Sequence, residues 1–226
     1  MTSRRTVALV LISLMVGVVT APASLLASAV AHLSDRRFVL ADAEGFWWRG
    51  SAWLTVAIAK QPALTLPGRI EWTPEISLPG FRFEGKPWIS VPFSAYWRRG
   101  LALTAGEIRL PADALQQLGP PFTLLRPTGK LTARWDNGEQ LVIEWLDAAS
   151  VLSPLPKLGD YRLTLRPGHL SLATISGPLH LDGEALPDKP FHGKAYSAPE
   201  SAEKLAGVLN ILGPSHQGVT TLQFKR

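Results

Sequence analysis

Residues 129–145 read GKLTARWDNGEQLVIEW, which is two β-strand candidates separated by a turn. Asp136-Asn137-Gly138 supplies the turn, because Asn and Gly accept the positive φ that a tight hairpin requires. The runs on either side, 129–135 and 140–145, are rich in the apolar, aromatic and β-branched residues that favour strands. This segment therefore predicts an antiparallel hairpin.

Short strand candidates of the same kind continue along most of the chain. They are Trp53–Ile58, Arg69–Thr73, Phe81–Glu84, Trp88–Trp97, Leu101–Thr104, Glu107–Leu110, Tyr161–Arg166, His169–Thr174, Leu179–Asp182 and Val219–Phe224. Nineteen Gly and nineteen Pro are too many for a helical bundle, and they separate the candidates at short, regular intervals. The pattern predicts a mainly β fold, an antiparallel meander forming one curled sheet or an open barrel.

Two short helices are predicted within this β-rich chain. The first is Ala112–Leu118, directly after Pro111. The second begins at a capping box in which Ser197 is the N-cap and Glu200 the third helical residue, and Gly213 ends it. Its apolar face carries Ala202, Leu205, Leu209 and Leu212. We expect this face to cover the sheet rather than to bind a partner.

The N-terminal segment carries no charged residue from Thr6 to Ala31. As one helix it would be about 39 Å long, which exceeds the roughly 30 Å hydrocarbon core of a bilayer. We predict an uncleaved transmembrane anchor at residues 6–31, after a cytoplasmic tail, residues 1–5, and before a β-rich periplasmic domain, residues 32–226. The alternative is a signal peptide cleaved at Ala21-Pro22-Ala23 or at Ala29-Val30-Ala31.

The orientation of this anchor does not follow from the basic residues. Arg4-Arg5 and Arg36-Arg37 flank its two ends equally. The signal-like start favours export, so the sequence predicts a single-pass protein of the inner membrane with most of the chain in the periplasm.

Composition and motifs exclude several classes of function. The chain has no cysteine, which excludes disulfides, thiolate metal sites and a cysteine nucleophile. Its net charge of +5 is dispersed, and no basic cluster exceeds a pair, so nucleic-acid binding is not expected. The sequence contains no phosphate-binding glycine loop, zinc-protease motif or serine-hydrolase elbow. We expect no enzymatic activity, no catalytic residue, no cofactor and no metal.

Three groups of titratable residues resemble metal-binding or acid–base catalytic sites, but each has a simpler interpretation. They are His180, Asp182, Glu184, Asp188 and His192; Glu139 with Glu144; and Glu71 with Glu75. We interpret the histidine group as surface residues around a turn. The carboxylate pairs have no sequence neighbours that would separate their pKa values, so we interpret them as solvated strand residues.

Aromatic residues follow the anchor closely. Phe46, Trp47 and Trp48 lie where large rings contact lipid headgroups or a neighbouring protein. Burial under the first strand is the alternative, and the sequence leaves both open. The tryptophans on the strands are expected to fill the core. A sheet with aromatics on its concave face can also hold an acyl chain, so a membrane-anchored protein that holds or transfers lipid is a second functional hypothesis.

Several short motifs occur in a fixed order from residue 43 to residue 218. They are AEGFWWRG at 43–50, Leu110-Pro111-Ala112 with Leu115, PTGKL at 127–131, LGDYRL at 158–163, SGPL at 176–179, LNILG at 209–213 and Gln217-Gly218. In this order they resemble the type II secretion system protein N family. Phe46 and Trp47 depart from the Thr and Leu that are usual in that family.

The resemblance implies a non-enzymatic, accessory inner-membrane component that helps folded periplasmic proteins cross the outer membrane. It implies other secretion-system proteins as partners and supplies no catalytic residues. The glycines in its motifs also have structural explanations: Gly45 and Gly50 bracket a turn, Gly159 and Gly177 start strands with Pro178 next to Gly177, and Gly213 caps a helix. An unrecognised hydrolase is the third hypothesis, and gene neighbourhood would separate the three.

Overall fold

The computed structural model describes residues 2–36, 38–56, 64–98, 100–118, 122–137, 139–187, 189–216 and 218–222. Residues of the sequence predictions that lie outside these ranges include Met1, Arg37, Ala57, Ile58, Gly138, Asp188, Gln217, Gln223 and Phe224.

The described helices are α1 (Thr2–Val19), α2 (Ala23–Leu33), α3 (Phe122–Leu125) and α4 (Ala202–Leu212), with 3-10 turns at Ala112–Leu118 and Pro199–Ser201. The first eight strands are β1 (Phe38–Phe46), β2 (Arg49–Val56), β3 (Leu64–Glu75), β4 (Gly80–Glu84), β5 (Ile89–Val91), β6 (Phe93–Trp97), β7 (Leu101–Leu103) and β8 (Gly106–Pro111). The others are β9 (Pro127–Asp136), β10 (Gln140–Ser150), β11 (Gly159–Arg166), β12 (His169–Ser176), β13 (Leu179–Leu186), β14 (Lys189–Ser197), β15 (Ser215–His216) and β16 (Val219–Leu222).

The strands form two antiparallel sheets. A six-stranded sheet has the order β1-β2-β3-β4-β6-β7, and a ten-stranded sheet has the order β15-β16-β14-β13-β12-β11-β10-β9-β8-β5. The mainly β, antiparallel meander is therefore confirmed, because neighbours in the sheets are mostly neighbours in the chain. The prediction of a single sheet is wrong, because the strands divide between two sheets.

Pro92 marks the point where the chain passes from one sheet to the other. The sequence predicts one strand over Trp88–Trp97, but β5 pairs with β8 in the larger sheet and β6 pairs with β4 in the smaller one. Proline has no N–H to donate to a strand ladder, so it interrupts the strand between Val91 and Phe93. This interruption lets the two halves join different sheets.

The predicted hairpin at residues 129–145 is confirmed. β9 pairs with β10, Asp136 lies opposite Gln140, and Asn137 has the positive φ of 41° that the turn requires. A bulge between Trp145 and Ala148 shifts the register of β10 against β11, which bends the strand.

The N-terminal apolar run does not form one continuous helix. α1 ends at Val19, Pro22 forms an isolated bridge with Phe46, and α2 begins at Ala23. The expectation of one unbroken helix over residues 6–31 is therefore wrong, because Pro22 disfavours the helical conformation in the residue before it. Among the described residues, no helix combines the length and the apolar character needed to cross a membrane.

α4 covers the ten-stranded sheet, as the sequence predicts. Leu205, Val208 and Leu209 are buried in one cluster with Leu179 and Leu222 of the sheet. The predicted capping box is wrong, since β14 continues through Ser197 and a 3-10 turn at Pro199–Ser201 contains Glu200. The α-helix begins only at Ala202.

Candidate functional site

The hairpin between β1 and β2 ends in three aromatic residues, Phe46, Trp47 and Trp48, which we call the aromatic tip. Gly45 pairs with Gly50 and Phe46 with Arg49, so the two tryptophans form the turn itself. Both indoles reach the end of α1: Trp47 Nε1 donates to Val18 O at 2.7 Å, and Trp48 Nε1 donates to Val19 O at 2.8 Å.

These two hydrogen bonds have a clear physical role. The last four carbonyls of an α-helix have no partner within the helix, and an indole N–H is a donor only. The aromatic tip therefore caps the C-terminus of α1 from 29 residues away in the sequence. The backbone N–H of Trp47 also donates to Ala21 O at 3.1 Å, and this bond fixes the junction between α1 and α2.

The aromatic tip rests on a buried tryptophan of the six-stranded sheet. Trp72 is 1% exposed, and its Nε1 donates to Trp47 O at 3.0 Å. It packs with Ala23 of α2 and Ala52 of β2. A Cβ on Gly50 would lie 2.6 Å from Trp72 Cζ2, so only glycine leaves room for the indole there. The cluster thus joins α2, the hairpin and the sheet.

Ring contacts complete the arrangement. Phe46 and Trp48 stack with 5.8 Å between ring centroids, and Trp47 meets Phe81 edge-on at 6.0 Å. Trp47 and Trp48 are half-buried, whereas Phe46 is exposed. The sequence left a choice between an outside contact and burial under the first strand. In the structure the two tryptophans contact the protein's own N-terminal helix, a contact that neither interpretation includes.

The side chains of α1 form an exposed apolar surface. Each of its side chains with a described burial, at residues 6, 7 and 9–19, is exposed. Val10, Leu14 and Met15 are examples of large apolar side chains among them. Exposed apolar surface of this extent is typical of a membrane or protein contact.

A second feature is an apolar cavity in the ten-stranded sheet, with a volume of ≈ 520 Å³. Its floor includes the cross-strand row Ile143, Leu163 and Leu172, and its cover includes Val208 and Leu212 of α4. The volume falls within the roughly 300–1,000 Å³ of small-molecule sites. It is much larger than the voids that are usual in a protein core.

The polar side chains in the cavity wall are already hydrogen-bonded to the protein. Tyr161 Oη donates to Leu179 O at 2.9 Å, and Ser150 Oγ donates to Leu125 O. Trp145 Nε1 donates to Thr128 O at 3.0 Å. Burial raises the pKa of Tyr161 well above its usual value, so this phenol stays neutral. The wall therefore offers apolar contact and little hydrogen bonding.

A charged cluster around Asp160 connects neighbouring strands of the ten-stranded sheet. Lys157 Nζ donates to Asp160 Oδ2 at 2.9 Å, Ser176 Oγ donates to the same oxygen at 2.7 Å, and the Asp147 N–H donates to Oδ1 at 2.8 Å. The bond from Lys157, followed by that from Ser176, lowers the pKa of Asp160 from 3.8 to about 2. The cluster thereby ties β10, β11 and β12 together.

Replacing Asp160 by Asn should make the free energy of unfolding less dependent on pH in the acid range. The lowered pKa means that the carboxylate stabilises the fold fully above about pH 4, and that this stabilisation is lost as the pH falls through about 2. The side chain is only 16% exposed, and we expect Asp160→Asn to cost about 1–2 kcal/mol at pH 7 and less than half of that at pH 2. Urea unfolding at the two pH values measures the difference. Asp113→Asn, in the exposed first turn of the 3-10 segment, is the control, and an equal cost at both pH values would contradict the role of the charge.

The outer face of the ten-stranded sheet carries a row of ion pairs. Arg134 lies between Glu107 and Glu144, at 3.3 Å and 2.9 Å, and Arg162 Nη2 lies 2.8 Å from Glu144 Oε1. The two carboxylate side chains are only 11% and 12% exposed. The interpretation of Glu144 as a solvated strand residue is therefore wrong, because arginines of the neighbouring strands cover it. Burial acts to raise the pKa of Glu107, but hydrogen bonds from Ser90 and Arg109 outweigh this and lower it.

The other glycines singled out by the sequence do not line the cavity, although they are close in the chain to residues that do. Gly159 begins β11, and Gly177-Pro178 forms the turn before β13. Gly177 has a φ of 115°, and a Cβ there would lie 2.3 Å from Gly159 Cα, so both glycines permit this close approach. Gly213 follows the last residue of α4, and its N–H donates to Leu209 O at 3.2 Å.

The histidine group does not form a ligand set. His180 stacks on Tyr196 with 4.9 Å between ring centroids. In the part of the chain that the structure describes, no three His, Asp or Glu side chains gather as metal ligands would.

Sequence reasoning missed the cavity and the capping of α1. The alternating Leu and Ile residues of β10–β12 signal an apolar sheet face, but they do not reveal that α4 stands far enough from it to leave space. The pair Trp47-Trp48 signals a special position, although its acceptors lie 29 residues earlier.

Comparison with known proteins gives one match. The family model described as type II secretion system (T2SS), protein N matches residues 36–223. No curated protein and no solved structure shows significant similarity to the chain.

Proposed function

This chain belongs to the type II secretion system protein N family, and we propose that it is an accessory component of the inner-membrane part of that system. The family match carries the proposal, because residues 36–223 include every described strand of both sheets. In this role the protein supports the passage of folded periplasmic proteins across the outer membrane, in contact with other secretion-system proteins. The role requires no catalysis, cofactor or nucleic acid.

The proposed anchor lies in the uncharged segment at residues 6–31, where α1 carries the uncovered apolar surface and Ala23 of α2 packs on the six-stranded sheet. The exposed apolar side chains of α1 support this assignment, since a bilayer would cover surface that the sheets leave open. In the proposed topology the chain passes the inner membrane once, with residues 1–5 in the cytoplasm and the β-rich part from residue 32 in the periplasm.

The aromatic tip couples this anchor to the sheets. Its two indole hydrogen bonds fix the end of α1 on a hairpin that rests on Trp72. A flexible linker would let the sheets move freely relative to the membrane, whereas a capped helix end holds them in a defined orientation. We propose that this orientation presents the sheets to the neighbouring secretion proteins.

A complementation experiment tests the role and the coupling together. Deleting the gene should leave export across the inner membrane intact, while type II substrates accumulate in the periplasm. The unaltered gene should restore release. Trp47→Phe with Trp48→Phe should restore it only partly, because phenylalanine keeps the rings but removes both donors to α1. Substrate in the periplasm and in the medium is quantified by immunoblot, and membrane attachment by carbonate extraction.

Trp97→Phe is the matched control, since Trp97 is 69% exposed in the same sheet. Normal release from the deletion strain would contradict the secretion role. Full restoration by the double variant, in a strain where the deletion blocks release, would contradict only the coupling by the aromatic tip. A mature N-terminus near Ser24 or His32, or complete extraction by carbonate, would contradict the anchor.

A further inference from the structure

The apolar cavity of the ten-stranded sheet is not explained by a secretion role or by an anchor. Its lining includes Leu131, Ile143, Leu163, Leu172 and Phe191. The hydroxyls of Ser150 and Tyr161 and the indole N–H of Trp145 are already bonded to backbone carbonyls. A ligand in this space would gain apolar contacts and few hydrogen bonds, which describes an aliphatic chain and not a polar metabolite.

The size of the cavity agrees with one such chain. A cavity of about 150 Å³ lined by Leu, Ile and Phe binds benzene, which has six carbons. On that scale the 520 Å³ of this cavity corresponds to about twenty carbons, the size of a single acyl chain.

We call the exposed residues that directly adjoin lining residues in the sequence the rim of the cavity, and they include both apolar and cationic side chains. Leu124 and Val151 are exposed, and each directly adjoins a lining residue, Leu125 or Ser150. The hydroxyl of Ser150 donates to Leu125 O, so these two segments lie side by side. Arg126, between Leu125 and Pro127 of the lining, is exposed and forms no ion pair with any described residue. An apolar rim with one free guanidinium suits an acyl chain that carries a phosphate.

We propose that this cavity binds one acyl chain of a phospholipid, with the phosphodiester beside Arg126. The lipid-handling hypothesis raised by the sequence thus applies to the ten-stranded sheet, in addition to the secretion role. The site is formed by β9–β14 and β16 as its floor and by α3 and α4 as its cover, and no residue of the aromatic tip lines it.

Fluorescence quenching tests where the acyl chain binds. The full-length protein, freed of lipid, is mixed with vesicles of phosphatidylcholine that carries bromine on one acyl chain, since bromine quenches indoles at contact distance. Trp145 lies in the cavity wall, whereas Trp88 is buried in a different cluster, with Leu66, Ile70 and Ile89. We expect quenching of the parent protein to fall in Trp145→Phe and to persist in Trp88→Phe. Equal quenching in the parent and in Trp145→Phe would overturn the proposal.

Mass spectrometry of the purified full-length protein identifies the lipid. We expect one phospholipid per chain, with several-fold less in the variant that combines Ile143→Phe and Leu172→Phe, which fill the space. Ile175→Phe, exposed on the same strand as Leu172, is the control and should retain the lipid. Arg126→Gln should lower retention of phospholipid but not of added diacylglycerol, which has acyl chains but no phosphate. Undiminished lipid in the filled variant, or free fatty acid as the bound species, would overturn the proposal. If the filled variant does not fold, the quenching of Trp145 decides.

Discussion

Leu205→Asp is expected to destabilise the protein by about 4 kcal/mol or more. Leu205 is 0% exposed and packs in one cluster with Leu179, Ala195 and Leu222, which come from three strands of the ten-stranded sheet. The substitution removes the apolar side chain and places a carboxylate where no described residue supplies a cation. Urea unfolding of the full-length protein measures the loss.

Ala206→Asp separates this packing effect from helix propensity. Ala206 is the next residue of α4 and is exposed, so the same new side chain there should cost well under 1 kcal/mol. Similar unfolding midpoints for the two variants would show that α4 does not depend on the sheet. In that case we would interpret the apolar face of α4 as a surface that binds a partner.

Trp72→Ala should have the second-largest effect, about 3–5 kcal/mol. Trp72 is among the largest fully buried side chains, and it supports the aromatic tip through its bond to Trp47 O. For a chain of this length the loss corresponds to a fall of roughly 6–20 °C in Tm. Because the tip loses its support, we also expect the junction of α1 and α2 to become sensitive to protease.

Two further variants separate the contribution of the buried Trp72 ring from that of its hydrogen bond. Trp97→Ala removes an exposed indole from the same sheet and should lower Tm by only a few degrees. Trp72→Phe keeps most of the volume but removes the donor, so its cost should lie between those of the other two. If Trp72→Ala lowers Tm without exposing the junction, α1 is held independently of the sheet.

The antiparallel architecture was predictable because its signals are local. These signals act between residues close in the chain. They are the turn at Asp136-Asn137, the alternation of apolar and polar residues on either side of it, and the Gly and Pro residues that separate the strands. The apolar face of α4 was predictable for the same reason. Besides the two-residue β15, two strands escaped prediction: β1 contains Asp42 and Glu44, and β14 contains Lys189, Pro190, Gly193 and Lys194 among its nine residues. Their pairing with β2 and β13 overrides this unfavourable composition.

The candidate site was only partly predictable. Phe46, Trp47 and Trp48 stood out because three adjacent aromatics near an apolar segment are unusual. Their acceptors could not be read from the sequence, since the carbonyls of Val18 and Val19 are available to the indoles only because α1 ends there. The cavity was unpredictable for a different reason: its volume depends on how far α4 stands from the sheet, and the pattern of apolar residues does not encode that distance.

By itself, the sequence determined the antiparallel β class, the secretion family and the N-terminal apolar segment, because each rests on residue types and their order. Only the tertiary structure decided that there are two sheets, that the aromatic tip caps α1 and that the larger sheet encloses a cavity. These features depend on contacts between residues far apart in the chain, such as the 29 residues that separate Trp47 from Val18. Local propensity is set by neighbours along the backbone, whereas such contacts form only when the whole chain has packed.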